Sequence, residues 1–166
     1  MSRIFISHSS ANNAAALALG DWLKSNGWSD HFLDFDDGIA PGERWRAALT
    51  RAIDRCEAVI FLLSPAWRDS KPCYAEFDQA TRLGKRIFGV KVEPIRLSEL
   101  REHTTTEWQL CDLTDSRDPV PFKVSRLPLV PETVVNFSYA GLEALKLGLQ
   151  KAGLDASTSS SARSPG

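Results

Sequence analysis

The sequence predicts an α/β protein, a doubly wound five-stranded parallel sheet with helices on both faces. Three observations point there. Short runs such as "AVIFLLS" (58–64) and "RIFGVKV" (86–92) offer apolar side chains to both faces of a strand, as a sheet covered on both sides requires. Between such runs lie segments whose apolar residues recur at i, i+3, i+4, i+7 and i+8, the spacing of an amphipathic helix. The chain has 166 residues, 43% of them hydrophobic, which suits one domain with a real core.

The elements follow in order. "RIFIS" (3–7) is the first strand. Residues 12–25 form a helix on the stripe Ala15, Ala18, Leu19, Trp22 and Leu23, with Ser9 or Ser10 placed to cap it and Gly27 to stop it. "HFLDF" (31–35) is the second strand, and the loop "DDGIAPGER" (36–44) leads to a second helical stripe of Trp45, Ala48, Leu49, Ala52 and Ile53. After the strand at 58–64, a helix runs from about Cys73 to Leu83 and ends at Gly84. The strand at 86–92 follows, then a short helix in "LSELREH" (97–103) and a fifth strand in "WQLCDL" (108–113). Residues 114–136 contain Pro119, Pro121 and Pro128 and read as an irregular excursion. Leu142, Leu145, Leu149 and Ala152 mark a last helix. Residues 155–166, rich in Ser and Ala, read as a flexible tail or linker, leaving 1–154 as the domain.

Composition narrows the function. A net charge of −1 without a long basic run gives no nucleic-acid footprint. Cys56, Cys73 and Cys111 are odd in number and form no C-x-x-C pair, so reduced thiols are expected. His8, His31 and His103 are scattered and show no metal-ligand spacing. "MSRIFISHSS" lacks the apolar core of a signal peptide, and no apolar run nears the roughly 20 residues that span a bilayer. The sequence therefore reads as a soluble cytoplasmic protein without a membrane partner. Neither G-x-G-x-x-G nor G-x-x-x-x-G-K-[ST] occurs, so any nucleotide is held in another way.

A sheet of this kind matches the flavodoxin-like order 2-1-3-4-5, and its ligands bind beyond the carboxyl ends of the strands, at the switch point between strands 1 and 3. Ser7, His8, Ser9 and Ser10 follow strand 1. Ser64, Pro65, Ala66 and Trp67 follow strand 3, and then comes "SKPCYAEF" (70–77). Glu76, in the first turn of the next helix, borders the same crevice. A phosphoacceptor site would need acidic residues where Ser7-His8 and Ser64 stand. Each candidate also has an ordinary explanation. Acids complement the dipole in a helix's first turn, Cys73 suits a small buried filler, and Ser7 is placed to help cap the first helix. His8 divides evenly between loop packing and ligand contact. Trp22 and Trp45 lie on apolar stripes, and the loop at 36–44 is either a plain turn or a gate and self-association surface.

Taken together, "RIFISHSS", "FLDFDDGIAPGERWRAALTRAIDRCEAVIFLLSPAW", "SKPCYAEF" and "LGKRIFGVKV" resemble a bacterial TIR (Toll/interleukin-1 receptor-like) domain from about residue 3 to 92, and 93–154 fit its weaker C-terminal part. The resemblance implies an NAD-cleaving effector, active in anti-phage or cell-suicide defence when TIR domains self-assemble, and often fused to a sensing domain. NAD is then the substrate, and no further cofactor or metal is implied. The family's catalytic glutamate stands in a C-x-x-E pattern, which maps to Cys73 and Glu76. Ser7, His8 and Ser9 and the loop 36–45, with Asp36 and Trp45, correspond to substrate-lining segments. Many NAD-cleaving members have Trp before or in place of the Cys, where this chain has Pro72. The alternative is a non-enzymatic scaffold acting by TIR–TIR interaction. A more distant one is nucleoside deoxyribosyl transfer, which also uses a glutamate.

Overall fold

A computed structural model of the chain describes residues 4–33, 50–100, 109–128 and 130–154. In order these form β1 (Ile4–Ser7), α1 (Asn13–Ser25), β2 (His31–Leu33), β3 (Ala58–Leu63), α2 (Pro65–Arg68), α3 (Lys71–Arg82), β4 (Arg86–Lys91), β5 (Gln109–Asp112), β6 (Pro119–Arg126), β7 (Val130–Ser138) and α4 (Tyr139–Lys151). Residues 50–55 are helical, and 3₁₀ turns lie at Ser10–Asn12 and Leu97–Glu99. The sheet order is β2-β1-β3-β4-β5, with every pair parallel, as the sequence predicts.

Strand parity sorts the core into two layers, because successive side chains on a strand point to opposite faces. Ile4, Ile6, Ala58, Ile60, Leu62, Phe88 and Val90 pack with Leu19 and Leu23 of α1 and Leu142, Leu145 and Leu149 of α4. On the other face, Phe5, Val59, Phe61 and Leu63 pack with Trp67 of α2 and Cys73, Phe77 and Ala80 of α3. β3 is wholly buried along its six residues, which explains why it reads as a continuous apolar run rather than an alternating one.

Two readings need correction. Residues 114–136 are not irregular: β6 and β7 form an antiparallel hairpin that packs on α1. Its inward residues Val120, Phe122 and Val124 alternate with Pro119, Pro121 and Lys123. The prolines occupy the outward positions of a two-stranded ribbon, where few ladder donors are needed. They hid a period of two that was present in the sequence. The second correction concerns α3, which starts at Lys71 rather than near Cys73. Ser70 caps it by accepting a hydrogen bond from the Cys73 amide at 3.2 Å. Pro72 fits in the first turn, where a missing N–H costs nothing. Glu76 therefore sits in the second turn, and the helix dipole does not explain it.

The helix at 97–103 appears as a single 3₁₀ turn, and residues 101–103 lie outside the described residues, as does most of the helix predicted around Trp45–Ile53. The predicted tail, 155–166, also lies outside them. Among the described residues, no helix is long and apolar enough to cross a membrane.

Two predictions follow from the packing. A Cβ at Gly141 would lie 2.1 Å from the backbone oxygen of Asp112, so α4 approaches β5 only because this residue has no side chain. Gly141→Ala should lower stability by about 3 kcal/mol, the upper end of ordinary overpacking, seen as a reduced urea midpoint. Cys56 and Cys111 are buried, and burial pushes both thiols up to about 11. Disulfide reagents at pH 8 should label them slowly in the native protein and rapidly in denaturant. The fold holds these protons more tightly than the unfolded chain does. Their contribution to stability is therefore complete below the ordinary thiol value near 9 and falls as pH rises toward 11.

Candidate functional site

The carboxyl edge of the sheet gathers polar side chains that the two core layers exclude. Glu76 is brought there by α3, whose Cys73, Phe77 and Ala80 are fixed against the sheet. The residue is only 5% exposed. A carboxylate so placed needs donors, since burying an uncompensated charge is costly. Ser7, the last residue of β1 and fully buried, donates its hydroxyl to Glu76 Oε1 at 2.5 Å. The indole Nε1–H of Trp67 donates in turn to Ser7 Oγ at 3.3 Å. Trp67 is itself held by an edge-on contact with Phe61, with centroids 5.2 Å apart.

A second polar cluster lies beside the first. Ser64 directly follows β3, and its Oγ accepts from the Trp67 amide at 3.0 Å, capping α2. The Ser64 hydroxyl donates to Asn12 Oδ1 at 2.7 Å, and Asn12 Nδ2 donates to Glu93 Oε2 at 2.6 Å. Asn12 thus reaches from the turn after β1, across the end of β3, to the loop after β4. Further along the same edge, Lys91, Pro94, Ile95, Arg96, Glu99 and Thr114 line a cavity of about 360 Å³. Its charges are mutually paired: Arg68 donates to Glu99 at 2.5 Å, Arg96 lies 3.5 Å from Glu99, and Lys91 lies 3.8 Å from Asp112.

The other predicted residues separate clearly. Ser7 joins Glu76 and is not a helix cap. His8 is buried, with Nε2 2.9 Å from Asn13 Oδ1. Ser9 accepts from the Ala11 amide at 3.2 Å and so serves the local turn. Cys73 is buried in the apolar layer beneath Glu76. Asp36 and Trp45 lie outside the described residues. Ser64 and Trp67 were placed at the switch point by the sequence but given no role there, and Asn12 and Glu93 were not predicted as site residues. Glu93 carried a legible signal, an acid between an apolar strand and Pro94. Trp67 was legible as the only Trp between β3 and Glu76. Asn12 gave no signal, because its partners lie 52 and 81 residues away. Among the described residues, no group of three or more His, Cys, Asp or Glu is arranged to hold a metal.

Comparison with known proteins agrees with this frame. The sequence matches the TIR domain family over residues 4–125, and the chain belongs to that family. It is similar in structure to the TIR domain of the Toll-related receptor TRR-2 from Hydra magnipapillata, at 15% identity and a TM-score of 0.55, covering 66% of this chain and 84% of that one. Weaker similarity extends to the Clostridium botulinum CMP N-glycosidase BcmB (16% identity, TM-score 0.45, 68% of this chain and 87% of that one). It extends also to a 2-desoxiribosyltransferase from Leishmania mexicana (13%, 0.48, 66% and 83%). No curated protein matches the sequence.

The geometry predicts a stability effect. Ser7→Ala removes the hydroxyl donor from a buried carboxylate and should cost about 1–3 kcal/mol in urea unfolding. Ser10→Ala, at an exposed position, should stay within about 0.5 kcal/mol of the wild type.

Proposed function

We propose that the chain is an NAD glycohydrolase. It breaks the bond between nicotinamide and ribose to give nicotinamide and ADP-ribose or a cyclic ADP-ribose isomer, with Glu76 as the catalytic carboxylate. The observation that supports this most is a single buried glutamate at the switch point of the sheet, its Oε1 oriented by Ser7. As the C–N bond breaks, its electron pair passes to the pyridinium nitrogen and nicotinamide leaves neutral. No acid is needed to protonate it. Positive charge builds on the ribose instead, and a carboxylate in a dry site stabilises it more strongly than one in water. Water then adds to the ribosyl cation with loss of a proton, or an adenine nitrogen closes the cyclic product. One carboxylate is enough for this reaction, where most glycosidases need two.

Ser7 would hold Oε1 from behind, and His8 and Ser9 border the same edge. In the full reading, Cys73 supports Glu76 from below, and Asp36 and Trp45 complete the substrate lining. The proposal also includes activation by TIR–TIR self-assembly and a role in bacterial anti-phage defence. At 5% exposure Glu76 meets a ribose only after the edge opens, and self-association is an event suited to opening it. That same burial, with Pro72 where relatives carry Trp, favours a second reading, a scaffold that acts only through TIR–TIR contacts.

Nicotinamide release from NAD by concentrated or artificially clustered protein separates the two readings. Turnover by the wild type, reduced at least about 100-fold by Glu76→Ala, is expected. A clustered wild type that releases no nicotinamide, or a Glu76→Ala variant as active as wild type, would leave the scaffold reading in its place.

A further inference from the structure

We propose that Asn12 is a positioning residue for Glu76, acting through Ser64, Trp67 and Ser7, and that Glu93 sets its orientation. The kinetic part of this inference rests on the NAD-cleaving reading. Five hydrogen bonds lead from Glu93 to Glu76, in two runs joined by the covalent frame of Trp67: Asn12 Nδ2 to Glu93, Ser64 to Asn12 Oδ1, the Trp67 amide to Ser64, then the Trp67 indole to Ser7, and Ser7 to Glu76. Their directions are forced. Both Trp67 groups are N–H donors only, so both serine oxygens must accept. Each serine then has one hydrogen left, and the geometry points these at Asn12 Oδ1 and Glu76 Oε1. A flipped Asn12 amide would press Oδ1 against the Glu93 carboxylate at 2.6 Å and turn Nδ2 toward the Ser64 hydrogen. Glu93 therefore fixes the amide, the amide fixes the Ser64 hydroxyl, and the capped Trp67 fixes the Ser7 hydroxyl that holds Glu76.

The chain ties together, at the side-chain level, three segments that follow neighbouring strands: the turn after β1, the junction of β3 with α2, and the loop after β4. Asn12 and Ser64 are 6% and 0% exposed, so water does not readily substitute for a missing partner. The Asn12 side chain bonds to Ser64 and Glu93 and acts on Glu76 only through others, so its effect should fall on kcat rather than KM.

Reversing the polarity at the far end provides the test. Asn12→Asp removes the donor to Glu93 and sets two carboxylates face to face. It should lower kcat for nicotinamide release roughly tenfold to a hundredfold with little change in KM. Asn12→Asp combined with Glu93→Gln restores a donor across the same gap while Ser64 still donates to position 12. The double variant should recover at least about tenfold of the lost kcat. A second readout does not depend on activity. The Trp67 indole ¹H–¹⁵N resonance, assigned with Trp67→Phe, should shift in Asn12→Asp and return in the double variant. Glu93→Ala, a change at the partly exposed end, should shift the same resonance without threatening the core. A wild type that fails to cleave NAD while the indole responds as described overturns the enzymatic reading and leaves the linkage standing. An unmoved indole resonance, or a double variant no better than Asn12→Asp in either readout, overturns this inference alone.

Discussion

A carboxylate buried at the end of a parallel sheet has to be supplied with donors by its surroundings, and much of the carboxyl edge is arranged to do this. Ser7 can reach Glu76 only because β1 lies next to β3 and ends at Ser7, paired to Phe61, while β3 runs on to Leu63. Trp67 can reach Ser7 only because Ser64 starts α2 immediately after β3. α3 then returns with its apolar face on the sheet, which leaves Glu76 no path to bulk water along its own helix. The topology of the sheet and the hydrogen bonding of one side chain are thus one constraint, and moving any of these elements by a residue would strand a buried charge.

The sheet was legible because its signals are local. The five strands, their order and the stripe of Cys73, Phe77 and Ala80 all follow from runs and periods of under a dozen residues. Glu76 was legible for the same reason, since a fixed spacing from the apolar stripe puts it at the rim. The hairpin was not. Pro119 and Pro121 mark loops in most contexts, and only their restriction to the outward side of a two-stranded ribbon makes them compatible with β6. The start of α3 was also misplaced, because Pro72 reads as a boundary when it belongs to the first turn. Asn12, and the partners that Ser64 and Glu93 find in it, remained hidden for a different reason. Their bonds join residues far apart in the chain, and no local pattern specifies which polar side chains will meet once the strands are aligned.

The family match ends at residue 125, within β6, yet the fold does not close there. Val130 and Phe137 of β7 and Leu142, Leu145 and Leu149 of α4 belong to the same apolar layer as α1 and the inner strands. Without them, the layer that α1 shares would be left partly open. The segment after 125 therefore completes the common core, and Gly141 shows how closely it docks, with α4 against the backbone of β5. A parallel sheet needs both faces covered, and here α1 shares the cover of one face with β7 and α4, which lie beyond the matched residues.

On the proposed NAD-cleaving reading, one glutamate would serve where two carboxylates are usual. A leaving group that departs as a neutral base removes the need for an acid, and the remaining demand is a negative charge held still in a dry place. Stillness is the harder requirement, because a carboxylate on a surface helix has several rotamers and a shell of water to reorganise. Burial removes the water, Ser7 supplies a donor that a buried carboxylate needs, and the indole behind Ser7 leaves the hydroxyl one direction in which to point. The residues that hold Glu76 in place are therefore those that let it be buried, and the candidate site and the fold share the same few hydrogen bonds.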